Sequence, residues 1–366
     1  MKAEVFEGLA GLARCETDWR RLHALLRVPA YHLEYAVVRA VLTWLESAPE
    51  RQLFVRVTDR DVCVAVLRLV PCERILFRAL RLRALETAIY PECRYQDVLM
   101  QPGIDALAVW AALTGAMAAR RQRWDALTSI ATPDGDGFQQ LALAMPERGR
   151  IVGGSAGFER AHKFDATLPH PTLAARFAPV LTKNLAKGWR RIERTGAWEV
   201  LSRRGAPGTL WAFDEFCRIE ASGWKGAQGT GTAAGLSGPA SAYCRELFLL
   251  DEASCHGEVN LLRLDGRAIA AQFCVISGRT RFVLKIGFDE AHGRLGPGHL
   301  LMDEMLRRSC ADPEIVELNV VSNQPWHHDW HPDSTPVHDY MLLRNRVLAS
   351  GWQLFSRLRR ALKPGA

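Results

Sequence analysis

The sequence predicts an α/β fold with two similar halves, each built on a mixed central sheet flanked by helices. The chain has 366 residues, which is long for one compact domain, and 48% apolar residues, which can fill two cores. Each half contains a β-hairpin pattern, then an apolar strand, Pro-Gly at the start of a helix, and a further strand. An internal duplication explains this repetition, and coincidence is the alternative because βαβ units are common.

The first half, residues 1–170, is predicted to be a degenerate copy. Its elements are a hairpin of strands 52–57 and 62–70 that turns at residues 58–61, a helix at 104–121 and a strand at 124–131. The turn before the helix, residues 99–105, has one glycine and no arginine. Asp105 at the helix start would repel an anion, so this turn is predicted to be a poor site for a phosphate.

Residues 171–198 are predicted to form a basic connecting helix. Apolar residues recur at helical spacing from Leu173 onwards, and the helix ends near Gly196. The cations at the other positions of this pattern include Lys183, Lys187, Arg190, Arg191 and Arg194. We favour a connector with a solvated charged face over a surface for an anionic glycan or a nucleic acid.

The second half, residues 199–366, is predicted to contain the ligand site. Its elements are a hairpin of strands 258–264 and 268–276 that turns at Asp265-Gly-Arg267, a helix at 300–308 and a strand at 315–321. The basic, amphipathic segment 342–363 is predicted to be a docked terminal helix. A membrane-surface anchor is the alternative.

A glycine-rich basic turn joins an apolar strand to the helix of the second half. Gly296 and Gly298 have no side chain to block a close ligand, and Pro297 stands where a helix can begin. The first amides of the helix and the positive end of its dipole favour a phosphate, and Arg294 adds a mobile charge. The turn is neither a P-loop nor a Rossmann first turn, and an ordinary strand-to-helix loop is the alternative. The candidate ligand-binding residues are Lys285, Arg294, Leu295, Gly296, Gly298 and His299.

This turn resembles the pyrophosphate loop of GNAT acyltransferases, Arg/Gln-x-x-Gly-x-Gly/Ala. The glycines here fall two and four residues after Arg294, instead of the three and five of that motif. Together with Glu220-Ala-Ser-Gly-Trp-Lys-Gly-Ala-Gln-Gly-Thr230 and the hairpin at 265–267, residues 180–335 resemble the CelD branch of GNAT proteins, described as cellulose-biosynthesis acetyltransferases. The resemblance implies a GNAT fold that binds acetyl-CoA or another acyl-CoA as co-substrate. The paired halves are similar to tandem GNAT proteins such as the Fem aminoacyltransferases.

The resemblance also implies a reaction and its candidate residues. In GNAT enzymes an amine attacks the thioester carbonyl of acyl-CoA, a base takes the amine's proton, and the leaving thiolate accepts one. Glu220 is the candidate base or amine-binding anion, and a salt bridge to Lys225 or Arg218 is its alternative role. Asp289 is a second candidate in the site, where by analogy it orders the loop.

Lys225 and Tyr340 complete the catalytic candidates. Lys225 lies in a Gly-Trp-Lys-Gly turn that can reach a substrate phosphate or carboxylate. The alternative is a capped loop with Trp224 packed into the core. Tyr340 begins a later strand and is a candidate acid for the thiolate, a role often filled by tyrosine in GNAT enzymes, although we favour a core tyrosine.

A histidine cluster is the rival site. Four of the eleven histidines lie within residues 327–338, and His327 and His331 would share a face of a helix. Pro332 and Pro336 break such a helix, so a polar loop is favoured over a metal site, and no metal is expected. The GNAT resemblance makes His328 or His331 of this loop a candidate proton relay. A serine hydrolase is disfavoured because no Gly-x-Ser-x-Gly occurs.

Composition indicates a cytoplasmic protein that suits anionic partners. The nine cysteines form no Cys-x-x-Cys pair and lie in apolar patterns, which indicates buried free thiols in a reducing compartment. No secretory signal and no run of about 18 apolar residues is present. Lys and Arg exceed Asp and Glu by 47 − 40 = 7, which suits an anionic cofactor, an acidic glycan, a nucleic acid or a membrane surface.

These observations together predict an acyl-CoA-dependent N-acyltransferase. The expected acceptor is an amine of an amino sugar or small metabolite in exopolysaccharide or envelope biosynthesis, with association to membrane-bound polysaccharide synthesis machinery as a further expectation. A Fem-like aminoacyl-tRNA-dependent transferase is the first alternative, and the only one that involves a nucleic acid. A catalytically silent binding subunit of a polysaccharide synthase is the second.

Overall fold

The structure is a computed structural model that describes residues 1–26, 30–76, 80–88, 97–120, 123–135, 137–146, 150–154, 160–322, 324–344, 347 and 350–351. Its strands are β1 Lys2–Glu7, β2 Leu53–Asp59, β3 Val62–Leu76, β4 Leu80–Thr87, β5 Leu99–Met100, β6 Ala126–Pro133, β7 Arg150–Gly154, β8 Arg160–Asp165, β9 Trp198–Arg204, β10 Cys255–Leu264, β11 Arg267–Ser277, β12 Thr280–Phe288, β13 Glu317–Asn319 and β14 Asp333–Leu343. Its α-helices are α1 Gly8–Arg14, α2 Glu16–His23, α3 Tyr35–Trp44, α4 Ala106–Ala119, α5 Gly137–Ala144, α6 His170–Ala174, α7 Pro179–Thr195, α8 Leu210–Ser222, α9 Gly238–Phe248 and α10 Pro297–Ala311.

The chain forms two compact units whose bounds differ from the predicted division at 170/171 and 198/199. The first unit contains Met1–Arg27, Ser47–Glu159 and Thr335–Ala366, and the second contains Val28–Glu46 and Arg160–Ser334. The end of the chain belongs to the first unit because β14 pairs with β6 and β7. Residues 28–46 belong to the second because α3 packs on α9, and buried Glu34 accepts a hydrogen bond of 2.6 Å from the Ser277 hydroxyl.

The sheet of the first unit has the strand order β1-β2-β3-β4-β6-β14, with β5 on β3 and β7 on β14. Only β4 and β6 run parallel among these pairs. Its core lies between the sheet and helices α4 and α5, which contribute buried Val109, Leu113, Phe138 and Leu141. Burying these apolar side chains is what fixes the helices on this face.

The sheet of the second unit has the order β9-β10-β11-β12-β13-β8, and only β12 and β13 run parallel among its described pairs. Helices α8 and α9 contact β10 and β11, where Phe213, Phe216, Phe248 and Phe273 form an aromatic cluster. Helices α7 and α10 supply a second cluster that includes buried Leu185, Ile192, Leu300, Leu301 and Met305.

Both units therefore follow one order of elements, which confirms the predicted α/β fold with mixed sheets flanked by helices. The first runs β1-α1-α2-β2-β3-β4-β5-α4-β6 and the second runs β9-α8-α9-β10-β11-β12-α10-β13, so the short strand β5 is an addition in the first. The two predicted hairpins are confirmed, and their turns use left-handed residues, Arg60 and Asp61 in one and Asp265 and Gly266 in the other. Such turns match the twist of the flanking strands.

The prediction of a single connecting helix was wrong. The chain forms α6 and then α7, which begins at Pro179, and Ala178 before it is extended with ψ 140. The ring of a proline disfavours helical backbone at the preceding residue, which explains the break. The predicted strand 315–321 is shortened to β13. Most of the predicted terminal helix 342–363 lies outside the described residues.

In the turn before α4, the side chain of Asp105 caps the helix. The Asp105 carboxylate accepts hydrogen bonds from the amides of Leu107, at 3.0 Å, and Ala108, at 3.2 Å. These are N-terminal amides that a helix otherwise offers to a ligand, so the carboxylate occupies the anion position itself. Within the described residues, no helix is long and apolar enough to span a bilayer.

Candidate functional site

The basic turn of the second unit is built from a short 3₁₀ helix and the start of α10. After β12 ends at Phe288, Asp289 caps the 3₁₀ helix Glu290–Leu295 by accepting a hydrogen bond of 3.0 Å from the Ala291 amide. Gly296 then takes the left-handed conformation with φ +68, and α10 begins at Pro297. A residue with a side chain is strained at such a φ, so the glycine is needed for the backbone path.

This turn leaves backbone donors at the start of α10. Pro297 has no N–H, and the Leu300 amide bonds to the Gly296 carbonyl at 3.1 Å. In the described part of the chain, the amides of Gly298 and His299 have no hydrogen-bond acceptor. Arg294 adjoins them on the 3₁₀ helix and is exposed. Two open amides, the helix dipole and a guanidinium form a site for an anion such as a phosphate.

Helix α7 holds this turn in place, although the sequence interpretation treated it as a connector. A Cβ at Gly188 would lie 2.9 Å from both the Leu295 carbonyl oxygen and a methyl carbon of Leu300. About one helical turn further along α7, Arg191 Nη1 donates to the Arg294 carbonyl at 2.9 Å. The signal that could have found this contact is Gly188 itself, because a glycine on the apolar face of a helix costs about 1 kcal/mol without a packing reason.

The other candidate residues of the turn make packing contacts. A Cβ at Gly298 would lie 3.3 Å from the Phe288 ring, so the absent side chain accommodates this aromatic. The His299 ring stacks on Trp330 with centroids 6.1 Å apart and planes within 6°. Leu295 packs half-buried against the core of the second unit. The turn is thereby fixed on its apolar side and open on its amide side.

Strand β12 has an open edge beside the turn. Its parallel partner β13 pairs only with Thr280, Arg281 and Phe282. No described strand pairs with that edge from Val283 to the end of β12. A β-bulge lies in the open part, because Cys274 pairs with Val283 and Phe273 with Lys285, which leaves Leu284 as an extra residue. An unpaired strand edge presents N–H and C=O groups to any ligand that carries amides.

The chain after β13 turns away from β12 through a strained residue. Val321 has φ +48, an unfavourable conformation for a β-branched side chain. Its amide donates to the Asn319 side chain at 2.9 Å, and the Val320 amide bonds to the carbonyl of His162 on β8 at 3.1 Å. These bonds direct the chain toward β8, so the two parallel strands separate. Backbone strain of this kind occurs at functional sites when the surrounding structure maintains it.

Glu220 lies buried next to the open edge, with both carboxylate oxygens occupied. Its side chain is 0% exposed. Oε1 accepts from Lys225 Nζ at 3.0 Å and lies 3.9 Å from Lys285 Nζ, and Oε2 accepts from the Ala234 amide at 2.8 Å. Lys225 is the partner that the salt-bridge interpretation named, whereas Arg218 pairs with Glu215 instead. Both oxygens are thus bound by donors of the protein itself, and the role of Glu220 as a base stays a prediction.

The same ion pair organises the glycine-rich loop of residues 223–236. Glu220 binds a residue near its start, Lys225, and one near its end, Ala234. Lys225 Nζ also donates to the Ile286 carbonyl at 2.9 Å, which ties the loop to the open part of β12. A Cβ at Gly226 or Gly229 would fall within 2.0 Å of a backbone oxygen, so the tight path requires both glycines.

Trp224 projects from this loop into solvent. Its residue is 60% exposed, so the alternative in which it packs into the core is wrong. Lys225 Nζ lies 5.7 Å from the centre of its ring. The loop thus presents an indole next to a lysine ammonium, beside the open edge of β12.

Asp289 in the second unit and Tyr340 in the first unit both make contacts that suit a structural role. Asp289 faces Arg267 at 3.7 Å and His292 at 3.3 Å besides capping the 3₁₀ helix, which agrees with a loop-ordering residue. Tyr340 is 4% exposed in the core of the first unit and hydrogen-bonds to Gln139 at 3.2 Å. Burial raises the pKa of its phenol. The core role that we favoured fits this position, and its role as an acid stays a prediction.

The rival histidine loop is a 3₁₀ helix, Pro325–Trp330, followed by left-handed His331. The rings of His327 and His328 lie 5.6 Å and 5.7 Å from that of His162 on β8. Burial lowers the pKa of His327 to about 3, so its imidazole is neutral at physiological pH. The described residues include no group of three potential ligands placed to hold a metal ion.

The eight described cysteines are free, as predicted, and five of them are buried. Burial raises the pKa of the Cys217 thiol, next to the glycine-rich loop, to about 12. Burial likewise raises the thiol pKa of Cys255. Such thiols are poor nucleophiles at neutral pH. Cys93 lies outside the described residues.

Comparison with known proteins identifies part of the second unit. Residues 181–319 match the family model of an acetyltransferase (GNAT) domain, and this match includes the turn, the open edge and the Glu220 cluster. No curated protein sequence matches the chain. The CelD branch is not identified by these comparisons, so that resemblance stays a prediction.

Solved structures resemble the whole chain in fold. FemX has a TM-score of 0.59 at 11% identity, with 95% of this chain and 99% of that chain covered. A conserved protein of unknown function from Bacteroides thetaiotaomicron has a TM-score of 0.54 at 12% identity, with 90% and 97% covered. L-PGS from Bacillus licheniformis has a TM-score of 0.50 at 11% identity, with 94% and 97% covered.

The buried charge of Glu220 should be important for stability. We expect Glu220→Gln to lower the free energy of unfolding by about 3 kcal/mol, because both lysines lose their carboxylate in a desolvated site. Glu215→Gln on the same helix is the matched control, since its pair with Arg218 is partly exposed and contributes less than about 1 kcal/mol. Urea denaturation of both variants measures the difference. Equal losses would show that the Glu220 pair is not a buried anchor.

His327 should make the fold sensitive to acid. Its native pKa is about 3 and its ordinary value is 6.5, so below pH 6.5 the unfolded chain binds a proton that the folded chain excludes. Stability is therefore lost as pH falls, by about 2 kcal/mol at pH 5 for this group. His327→Gln should reduce the loss between pH 7 and pH 5, and exposed His331→Gln should not. Parallel stability profiles for wild type and His327→Gln would contradict this assignment.

Proposed function

We propose that the chain is an acyl-CoA-dependent N-acyltransferase whose acyl-CoA site lies in the second unit. The open edge of β12, which leads directly into the two free amides of α10, is the observation that supports this most. Coenzyme A carries amides along its pantetheine arm and a pyrophosphate beyond it. This order of groups matches an unpaired strand edge followed by an anion-binding helix terminus.

The site contains the types of group that would bind each part of coenzyme A. Backbone groups of residues 283–287, apart from the Ile286 carbonyl that Lys225 binds, would pair with the pantetheine amides. The amides of Gly298 and His299 would hold the pyrophosphate. Arg294 would add charge, and Arg191 keeps the loop carbonyl directed away from the anion by hydrogen-bonding it. In the first unit Asp105 occupies the corresponding helix terminus. We therefore assign one acyl-CoA site to the chain.

The proposed chemistry is attack of an amine on the thioester carbonyl. Lys225 has three donors, of which Glu220 and the Ile286 carbonyl take two. We assign its third donor to the negative charge that develops on the carbonyl oxygen, where a preorganised ammonium stabilises the transition state. Glu220 acts through Lys225 by fixing its position. The proton of the amine leaves to water or to a group on the acceptor, the carbon–sulfur bond breaks, and the released coenzyme A thiolate takes a proton from water.

The proposed acceptor is an amine on an amino sugar or small metabolite. The CelD resemblance of residues 180–335 motivates an exopolysaccharide or envelope pathway, and the exposed indole of Trp224 beside Lys225 supplies an apolar face for such an acceptor. A thiol-release screen of amines with acetyl-CoA identifies it directly. Association with membrane-bound synthesis machinery remains part of the same proposal.

A Fem-like aminoacyl-tRNA-dependent transferase is the second candidate. Lys183, Lys187, Arg190 and Arg194 recur at helical spacing on the exposed side of α7, and none has a carboxylate partner among the described residues. A row of unpaired cations suits a phosphate backbone. The similarity to FemX concerns the fold alone. RNA that stays bound until high salt, together with no response to acetyl-CoA, would favour this candidate.

Two matched glycines test the location of the coenzyme site. Gly296 precedes α10 with φ +68 and Gly103 precedes α4 with φ +76, and neither would place a Cβ within 4 Å of another atom. Valine at either position is strained by about 1–2 kcal/mol. Gly296→Val should weaken acetyl-CoA binding at least tenfold because it displaces the amides of α10. Gly103→Val should leave the affinity unchanged.

Isothermal titration of acetyl-CoA into the two variants measures this contrast. Circular dichroism of each variant establishes that it is folded. A loss of affinity in Gly103→Val with normal binding by Gly296→Val would place the site in the first unit. Normal binding by both variants would remove the turn from the coenzyme site.

A further inference from the structure

A separate cleft of the second unit lies between α8 and the β10–β11 hairpin. It encloses about 490 Å³, and its lining includes Trp211, Glu215, Arg218, Arg263 and Arg267. This volume is within the range of about 300–1,000 Å³ that is usual for small-molecule sites. The lining residues include none of the turn, the open edge or the Glu220 cluster.

The cleft combines guanidinium groups with an exposed indole. Trp211, Glu215 and Arg218 follow one another at helical spacing on α8, and Trp211 is 42% exposed. Arg263 faces them from β10 and Arg267 from β11. The Arg203 guanidinium lies 5.8 Å from the centre of the Trp211 ring, which adds a further cation to the rim.

The arginines of the cleft differ in how many of their side-chain donors already have partners within the protein. Arg263 pairs with Glu199 at 2.7 Å. Arg218 binds Glu215 through Nε and Nη2, and its Nη1 has no acceptor among the residues that the structure describes. Arg267 is 68% exposed, and its ion-pair partner Asp289 is 3.7 Å away. Donors of Arg218 and Arg267 are therefore available to an anion that enters the cleft.

We propose that this cleft binds a phosphorylated nucleoside. Guanidinium groups match the geometry of phosphate oxygens and can bind them in pairs. The face of an exposed indole stacks on a flat base, an interaction of about 1–3 kcal/mol where it has been measured for bases on aromatic side chains. Glu215 supplies an acceptor for base or ribose donors. An inorganic ion would use the arginines alone and leave the indole and the remaining volume empty.

The site is linked to the anion-binding turn through one residue. Arg267 contacts Asp289, and Asp289 caps the 3₁₀ helix that leads to Gly296. A nucleotide phosphate that recruits Arg267 removes a charge from this cap. Occupation of the cleft should therefore change acetyl-CoA affinity by a small factor, although nucleotide binding itself does not depend on the proposed transferase activity.

The experiment is calorimetric titration of the full chain with AMP, inorganic phosphate and adenosine as separate probes. We expect AMP to bind at least tenfold more tightly than either fragment. Arg267→Ala and Trp211→Ala should each weaken AMP binding about tenfold, equivalent to about 1.4 kcal/mol. Arg245→Ala, at an exposed arginine of α9, is the matched control and should bind AMP normally. Trp211→Phe should retain part of the affinity, because it keeps an aromatic face.

Repeating the AMP titration in saturating acetyl-CoA shows whether AMP binds in this cleft or in the coenzyme site. Retained AMP binding supports a separate site. Loss of AMP binding in acetyl-CoA would show that AMP occupies the coenzyme site, and this overturns the proposal. Absence of AMP binding, equal binding of phosphate and AMP, or unchanged AMP affinity in both cleft variants would each overturn it as well. A failed transferase assay would leave these results unaffected.

Discussion

The separation of β12 from β13 is the constraint on which the rest of the site depends. Two parallel strands that stayed paired would satisfy each other's backbone groups and leave nothing for a ligand. Here the pairing stops at Phe282, and the strained Val321 directs the following chain toward β8. The unsatisfied edge then leads to Gly296, where α10 begins with open amides. One departure from regular pairing thus creates both a place for amides and a place for a phosphate.

The buried carboxylate of Glu220 maintains the other side of this opening. Burying a lone carboxylate would cost several kcal/mol, so its two lysines and the Ala234 amide are requirements of the fold. Because Lys225 also binds the Ile286 carbonyl, the ion pair connects α8, the glycine-rich loop and β12. The carboxylate of Glu220 thus anchors the glycine-rich loop, and its role as a catalytic base stays a prediction.

The features that the sequence predicted are local ones. The hairpin turn at Asp265, the proline that opens α10 and the position of Asp105 at the start of α4 all depend on a few adjacent residues, and the structure has each of them. The missed features are tertiary contacts. Gly188 packing on the turn and the return of β14 to the first unit join residues far apart in sequence, and local patterns contain no information about such partners. Tyr340 was assigned by analogy, and only β14 pairing reveals its surroundings.

Hydrogen exchange of the full chain with and without acetyl-CoA tests the central assignment most directly, because it reports which backbone amides a ligand covers. Bound coenzyme should slow exchange in peptides that cover residues 283–288 and 296–300, where the edge and the helix terminus have open donors. Peptides that cover residues 99–108, the corresponding turn of the first unit, should exchange at the same rate in both conditions. Protection at 99–108 with none at 283–300 would contradict the assignment of the acyl-CoA site to the second unit.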